Sequence, residues 1–495
     1  MDTLPELLFS EAAQPAESRR VLRLAAEHKV RRLHAGVYTS NLRATLESIV
    51  SRKWIEIVGH LLPAAVVSHR SAFDGKPENG RLTVTRPGSR RTIELPGLTV
   101  DVMPGANPIP GGPARDMPFL ALYLSSEPRR FLENQKRGRG WAERVLNAEE
   151  LEAKLEQLLN LRGEESLKEM RDTCRSIAEP LDLAVEFQRL DRLIGALLGT
   201  RDATGLTTEP ARARAAGHPY DSKRVDLFNT LFATLHQTPF RIVHDPATTP
   251  HARQNFAFFE AYFSNFIEGT IFPVDQAEEI VFEGRIVENR EADSHDVLGT
   301  YEAATRSPWR DQPPSDAKGF LDWLKSTHAL IMQRRPAMLP GQWKDRANQA
   351  GWTQFVLPEL VSGTLREGFA RLAALSDPVA RALMIMIIVS EVHPFMDGNG
   401  RTARLAMNSI LSAAGRCRII VPTSSRGDYL MSLKALSGNV EPKPFIEVMR
   451  RLNDWSSQFD YEASISALRA QFEAANAFNE EPLAQQIRVQ PRSSG

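Results

Sequence analysis

His393-Pro394-Phe395-Met396-Asp397-Gly398-Asn399-Gly400-Arg401-Thr402-Ala403-Arg404 is the stretch that decides the fold. Upstream, Asp377-Pro378 reads as a helix start, with Asp as the cap and Pro in the first turn. Residues 379–392 are apolar nearly throughout, which predicts a helix buried in a core rather than lying on a surface. Pro394 ends it, because the residue before a proline avoids the α region. Asp397-Gly398-Asn399-Gly400 is turn chemistry. A second helix is expected from near Arg401 through Leu405, Ala406, Met407, Ile410 and Leu411, with Gly415 as its stop. The result is helix, tight loop, helix, in a chain that is mainly α.

The loop carries chemistry. Its glycines let backbone N–H groups converge as an anion nest, and the following helix start adds unsatisfied donors with a partial positive charge. Arg401 and Arg404 are three apart, hence on one face, and both can fork onto one polyphosphate. Asp397 suits a Mg²⁺ that also takes phosphate oxygens. His393 can accept a proton from a hydroxyl near neutral pH. Taken singly, each residue has a bland reading as a core histidine, a turn or a solvated arginine face. Their order within twelve residues is what points to a nucleoside triphosphate site.

At these residues the chain resembles the Fic-domain (Fido) family, whose signature is His-x-Phe-x-(Asp/Glu)-Gly-Asn-Gly-Arg-x-x-Arg, and every fixed position is filled. The resemblance covers roughly 220–455. It implies a helical Fic-type domain with a β-hairpin flap over 348–358, Gly351, Trp352 and Phe355 lying near its tip. Gly341-Gln342-Trp343-Lys344 resembles the approach to that flap, with Lys344 where the family more often has Arg. The implied activity is transfer of AMP from ATP to a Ser, Thr or Tyr hydroxyl of a target protein. In that reading His393 is the base and Asp397 holds Mg²⁺. Gly398, Asn399 and Gly400 cradle phosphates, Arg401 and Arg404 neutralise the β- and γ-phosphates, and Asn408 and Tyr429 fall in the nucleoside pocket. Phe395 is expected in the core.

Earlier in the chain, 252–268 is helical by pattern (Phe256, Phe259, Phe263, Ile267), and Gly269 is a plausible stop. A carboxylate at Glu268 would oppose the helix dipole by about 0.3–1 kcal/mol, a cost that a cationic partner offsets. Ser264-Asn265-Phe266-Ile267-Glu268-Gly269 resembles the family's inhibitory motif, (Ser/Thr)-x-x-x-Glu-(Gly/Asn). The resemblance implies that Glu268 pairs with Arg404 and keeps it from the γ-phosphate.

At 495 residues the chain has room for two or three domains. Its 61 basic and 61 acidic residues balance, but 18–144 holds 22 basic against 11 acidic residues, a net of +11. Only Cys174 and Cys417 are present, which fits a reducing compartment and no disulfide framework. No run of 18 apolar residues and no leading signal pattern is seen, so a cytoplasmic protein without a membrane span is expected.

The organisation read from the chain is a tail (1–17), a basic α+β module (18–118), a helical bridge (119–201), a linker (202–218), the Fic domain (219–460), and a C-terminal helix with a loose tail (461–495). The basic module is expected to hold a helix over 18–28, a strand over 32–38, and strands near 82–85, 93–95 and 98–102. It loosely resembles the AbiEi antitoxin, winged-helix family over 30–37 and 63–73. That leaves DNA contact through 18–144, target recognition and a solvated basic face as alternatives, and a homodimer is admitted. Two function classes follow. One is an autoinhibited protein adenylyltransferase, with donors other than ATP still open. The other is a DNA-binding or antitoxin-like regulator whose Fic domain senses nucleotide.

Overall fold

The computed structural model describes residues 4–10, 15–351 and 353–479. Trp352 of the expected flap, and 480–495 of the expected tail, lie outside the described residues. The chain divides into two compact units, Met1–Gly217 and His218–Gly495.

The first unit opens with β1 (Leu7–Phe9), α1 (Pro15–Ala26), β2 (Arg31–His34) and β3 (Val37–Thr39). β3 lies between β1 and β2, antiparallel to both. The stretch expected as one strand over 32–38 is therefore a hairpin. Gly36 turns it at φ +80°, a conformation that costs a residue with a Cβ. The span expected as a tail (1–17) supplies β1 and the start of α1. A helix absent from the sequence expectation follows, α2 (Leu46–Leu61), capped by the Thr45 side chain on the Ser48 N–H. It buries Ile49, Val50, Ile57 and Val58 in a core shared with a six-stranded sheet.

That sheet has the order β6-β7-β5-β4-β9-β8. Its strands are β4 (Val66–Val67), β5 (Arg81–Arg86), β6 (Arg91–Leu95), β7 (Leu98–Pro104), β8 (Met117–Phe119) and β9 (Leu122–Leu124), with the short α3 (Ser71–Asp74) between β4 and β5. β7 inserts between β5, to which it is parallel, and β6, to which it is antiparallel. Five of its seven residues are buried, as a strand flanked on both sides requires. β8 and β9 belong to this sheet, so the α+β module runs past the boundary expected at 118.

The helical half of the first unit is α4 (Glu127–Glu133), α5 (Ala148–Ala178), α6 (Ala184–Leu197) and α7 (Glu209–Ala215). The segment expected as a linker, 202–218, contains α7. Thr207 and Thr208 each donate a backbone N–H and a hydroxyl to Glu152, at 2.8–2.9 Å, and Arg214 pairs with Glu156 at 2.9 Å. Four of the module's arginines are engaged by carboxylates of the same unit. Arg70 pairs with Glu150, Arg81 and Arg144 with Asp101, and Arg129 with Asp116 and Glu133. Arg19, Arg20 and Arg23 on α1 and Arg32 on β2 are exposed.

The second unit comprises α8 (Ser222–Gln237), α9 (Pro250–Ile267), α10 (Val274–Phe282), α11 (Glu291–Thr305), α12 (Ala317–Ile331), the hairpin β10 (Gln349–Ala350) and β11 (Thr353–Gln354), α13 (Val361–Ala373), α14 (Pro378–Val392), α15 (Asn399–Ala413), α16 (Arg426–Asn439), α17 (Pro442–Ser456) and α18 (Ile465–Ala474). α14 is its axis. Met384 to Val389 are all buried, so the helix is apolar all round, and α8, α13 and α15 pack against it. Asp377 caps it through the N–H groups of Val379 and Ala380, as the sequence predicts. The other end of the unit is aromatic. Phe472 of α18 is fully buried among Phe259, Trp455 and Phe459, at centroid distances of 4.5, 5.4 and 4.4 Å. Among the described residues, no helix is long and apolar enough to cross a membrane.

Candidate functional site

α14 stops at His393, whose backbone adopts φ +51° while its N–H closes the last turn on the Val389 carbonyl at 3.0 Å. A left-handed residue at a helix end is a chain-reversing cap. In a histidine it costs energy that the surrounding packing must supply. The reversal brings the ring to the mouth of the loop. Nδ1 lies 3.3 Å from the Ser390 carbonyl. A carbonyl only accepts, so Nδ1 carries the proton and the Nε2 lone pair is left for an incoming hydroxyl. Phe355, expected near the flap's tip, lies instead at its foot just past β11, where it stacks on the imidazole at 3.8 Å and 5°. Burial pushes the His393 pKa down to about 4, so the ring is neutral at physiological pH.

The loop is rigid for reasons found in its own side chains. Asn399 accepts from the Phe395 N–H and donates to the Phe395 carbonyl, both at 2.9 Å. The side chain expected to help hold phosphate thus also shapes the loop. Gly398 adopts φ +73°, and a β-carbon there would lie 2.9 Å from Met332 Sδ. Its N–H goes to Asp397 Oδ1 at 2.7 Å. At the start of α15 the Asn399 and Gly400 N–H groups precede the first helical hydrogen bonds, an arrangement that can receive an anion.

Asp397 is about half exposed, and its Oδ2 lies 3.8 Å from Arg401 Nη2. Among the described residues no cluster of three or more His, Cys, Asp or Glu could cage a metal. One outward carboxylate fits a Mg²⁺ that takes its other ligands from phosphate and water.

The two arginines separate. Arg401 is buried, with Nη1 2.8 Å from Asp296 Oδ2 and Nη2 3.4 Å from Met332 Sδ. Its Nη1 is engaged by Asp296 of α11, a partner remote in sequence that the helical spacing does not reveal. Arg404 is also buried. Its Nε donates to Ser264 Oγ at 2.9 Å, and its Nη2 donates to the Ser264 carbonyl at 2.9 Å and to Glu268 Oε1 at 2.7 Å. Burial opposes the charge on Arg404, but Glu268 and the Tyr429 hydroxyl outweigh it and raise its pKa. Glu268 caps the end of α9, and Gly269 follows at φ +91°.

Both residues expected to line a nucleoside pocket are buried. Asn408 donates to Glu260 at 2.9 Å and to the Ile419 carbonyl at 3.0 Å, and accepts the Ile419 N–H at 2.8 Å. Its amide is structural, which corrects that expectation. Tyr429 hydrogen-bonds Arg404. On the flap, Gly351 turns the hairpin at φ +59°.

Sequence reasoning missed several supports. His328 of α12 is fully buried, stacked on Phe395 at 3.8 Å and 2°, with Nε2 3.0 Å from the Asp397 carbonyl and Nδ1 accepting the Gly341 N–H at 3.0 Å. It fixes the backbone that aims Asp397, and burial pushes its pKa down to about 4. A single His on an amphipathic helix carries no local signal of such a role. Phe395 is core, as expected. Lys344 is buried, and Nζ donates to Asn348 Oδ1 at 2.6 Å. Burial, then Arg224, pushes its pKa down to about 8.

A family model described as the Fic/DOC family matches residues 320–411. Protein adenylyltransferase fic-1 of Caenorhabditis elegans is 26% identical over 227 residues, which are 43% of this chain and 43% of that one. Protein adenylyltransferase Fic of Drosophila grimshawi is 41% identical over 69 residues, 14% of each chain. These matches span less than half the length of the curated relatives. The solved structure of Fic-1 from C. elegans aligns at a TM-score of 0.36 and 19% identity, covering 66% of this chain and 94% of that one. The loop signature, filled at every fixed position, lies inside the span of the second unit that matches the Fic/DOC family model.

Proposed function

We propose that the second unit is an autoinhibited protein adenylyltransferase, moving AMP from ATP to a hydroxyl side chain of a target protein. His393 Nε2 accepts the hydroxyl proton as the oxygen attacks the α-phosphorus, and pyrophosphate leaves. The α15 start and Arg404 hold the phosphates. Asp397 would hold a Mg²⁺, which would supply neutralisation of phosphate charge. The flap holds the target segment. Positioning and charge stabilisation are what phosphorus-centre transfer demands of a protein.

The observation that carries this reading is the 2.7 Å pair between Glu268 and Arg404, made directly over Gly400. The carboxylate occupies the place at a helix N-terminus where a terminal phosphate would be favoured, and it neutralises the arginine that would receive it. Removing Glu268 frees both.

The test compares wild type, Glu268→Gly and Glu268→Gly/His393→Ala for label incorporated from α-labelled ATP with Mg²⁺ and a cell extract. Label is expected in the Glu268→Gly lane and is expected to fall by about 10²–10⁴-fold when His393 is lost. Equal label in all three lanes would remove both residues from their roles. Label from UTP or GTP alone would replace the donor.

A second reading, a DNA-binding regulator, draws on the exposed Arg19, Arg20 and Arg23 of α1 and Arg32 of β2. Affinity of the full chain for duplex DNA that falls steeply with salt would support it. Affinity unchanged in Arg19→Ala/Arg23→Ala would sink it.

A further inference from the structure

Arg224 stands on α8, nearly 170 residues before the signature, and joins two parts of the site. Its Nη1 forms an ion pair with Glu391 Oε2, a buried carboxylate two residues before His393. Ser437 Oγ donates to the same oxygen at 3.2 Å. Its Nη2 donates to the Gln354 carbonyl of β11 at 2.7 Å. One guanidinium fork thus spans the end of the base's helix and the flap backbone, and a planar fork with fixed donors suits that bridging.

The hairpin register explains why this carbonyl is available. Gln349 faces Gln354, and the Phe355 N–H bonds the Asn348 carbonyl at 3.2 Å. Gln349 and Gln354 are therefore a pair whose own N–H and C=O groups point outward. The Gln354 carbonyl faces α8, and the next residue, Phe355, is the one stacked on His393. The opposite foot of the flap is held separately. Asn348 donates to the Phe395 carbonyl at 2.9 Å and accepts from Lys344 at 2.6 Å.

We propose that Arg224 is a positioning residue for the base. It clamps the flap so that Phe355 lies against the His393 ring and fixes the imidazole's orientation. The clamp rests on the reading of His393 as base for its meaning, but its geometry can be tested without any transfer assay. It also closes the outer edge of β11 at Gln354, which leaves the Gln349 edge of β10 for an extended target segment.

The experiment is NMR of the full chain with ¹³C-labelled histidine, His393 being assigned among the 11 histidines by its loss in His393→Gln. A phenyl ring stacked on the imidazole shifts the His393 ring signal upfield. Phe355→Leu is expected to abolish that shift, Arg224→Gln to abolish or largely reduce it, and Arg224→Lys, which keeps the charge opposite Glu391 but lacks the fork, to reduce it in part. The other histidine signals report whether the fold survives, and Arg224→Lys decides the matter if Arg224→Gln does not fold. In the Glu268→Gly background, Arg224→Gln is expected to lower label transfer by about tenfold or more with ATP affinity unchanged. A His393 signal unmoved by Arg224→Gln or Arg224→Lys would overturn the clamp. So would a signal unmoved by Phe355→Leu. If label transfer is absent in Glu268→Gly while the NMR shifts behave as expected, the adenylyltransferase reading fails and the clamp stands.

Discussion

A β-carbon placed on Gly400 would meet Glu268 Oε1 at 2.1 Å and its Cδ at 3.0 Å, so the carboxylate can sit where it does only over a glycine. Gly400 lies in the first turn of α15 with ordinary helical geometry. Its lack of a side chain is therefore explained by close approach and not by backbone strain.

That relationship predicts a reversal of sign. In wild type, Gly400→Ala forces the Glu268 carboxylate aside and is expected to destabilise by about 1–3 kcal/mol, the usual cost of overpacking. In the Glu268→Gly background the obstacle is gone, and alanine's better helix propensity should stabilise by up to about 1 kcal/mol. Chemical denaturation of the four proteins checks it. The same sign in both backgrounds would mean that the contact with Glu268 does not govern this position.

The pH dependence of transfer follows from the burial of His393. Its pKa lies near 4, below the ordinary 6.5, so the neutral base persists through mildly acid pH. In the Glu268→Gly variant, the acid limb of the rate profile is expected near pH 4, with a tenfold loss for each unit below it. Opening the flap should hydrate the ring and move the limb back toward 6.5. A limb at 6.5 in the unopened protein would show that the ring is not desolvated in the working state.

Lys344 gives a stability signature of its own. Its folded pKa of about 8 lies below the free value of 10.5. Between those values the unfolded chain binds more protons than the folded one, so stability contributed by this residue rises with pH across that window. Below pH 8 the amine is charged in both states and is buried at a cost. Lys344→Met should therefore flatten the rise in Tm between pH 8 and 10.5 relative to wild type. Parallel Tm profiles would mean that Lys344 titrates as an exposed amine.

What was legible in the chain was what is local. The apolar run of α14, its Asp377 cap, the turn and the α15 start are all dictated within a few residues, and the structure matches them closely. The Glu268–Arg404 pair was readable only through the resemblance of Ser264 to Gly269 to an inhibitory motif, since the helix-end dipole by itself asks for some cation and names none. The partners that engage Arg401, Asn399 and Asn408 were not readable. Asp296 claims Arg401 from over 100 residues away, and nothing in either neighbourhood announces it. His328, Arg224 and Glu391 are ordinary residues in ordinary helices until packing brings them to the loop. In the first unit, the hairpin at Gly36 was hidden because a seven-residue apolar and basic run reads the same whether it is straight or folded back. α2 does carry local marks, its Thr45 cap and Pro63 just past its end, which the sequence expectation did not use.

Arg401 and Asp296 supply the sharpest energetic test. Both side chains are 2% exposed and lie 2.8 Å apart, and Asp296 also receives Arg335 Nε at 2.8 Å. A buried pair adds little net stability when formed, because desolvation consumes the attraction. Removing one partner leaves an uncompensated charge, at a cost of about 3–5 kcal/mol. Asp296→Ala should therefore be strongly destabilising in denaturant titration. Asp296→Ala/Arg401→Met should recover a large part of the loss, because no charge is then stranded beneath α15. If the double variant is no more stable than the single one, the loss belongs to Arg335 or to the packing of α11, and the arginine in the signature would be free to do what its spacing first suggested.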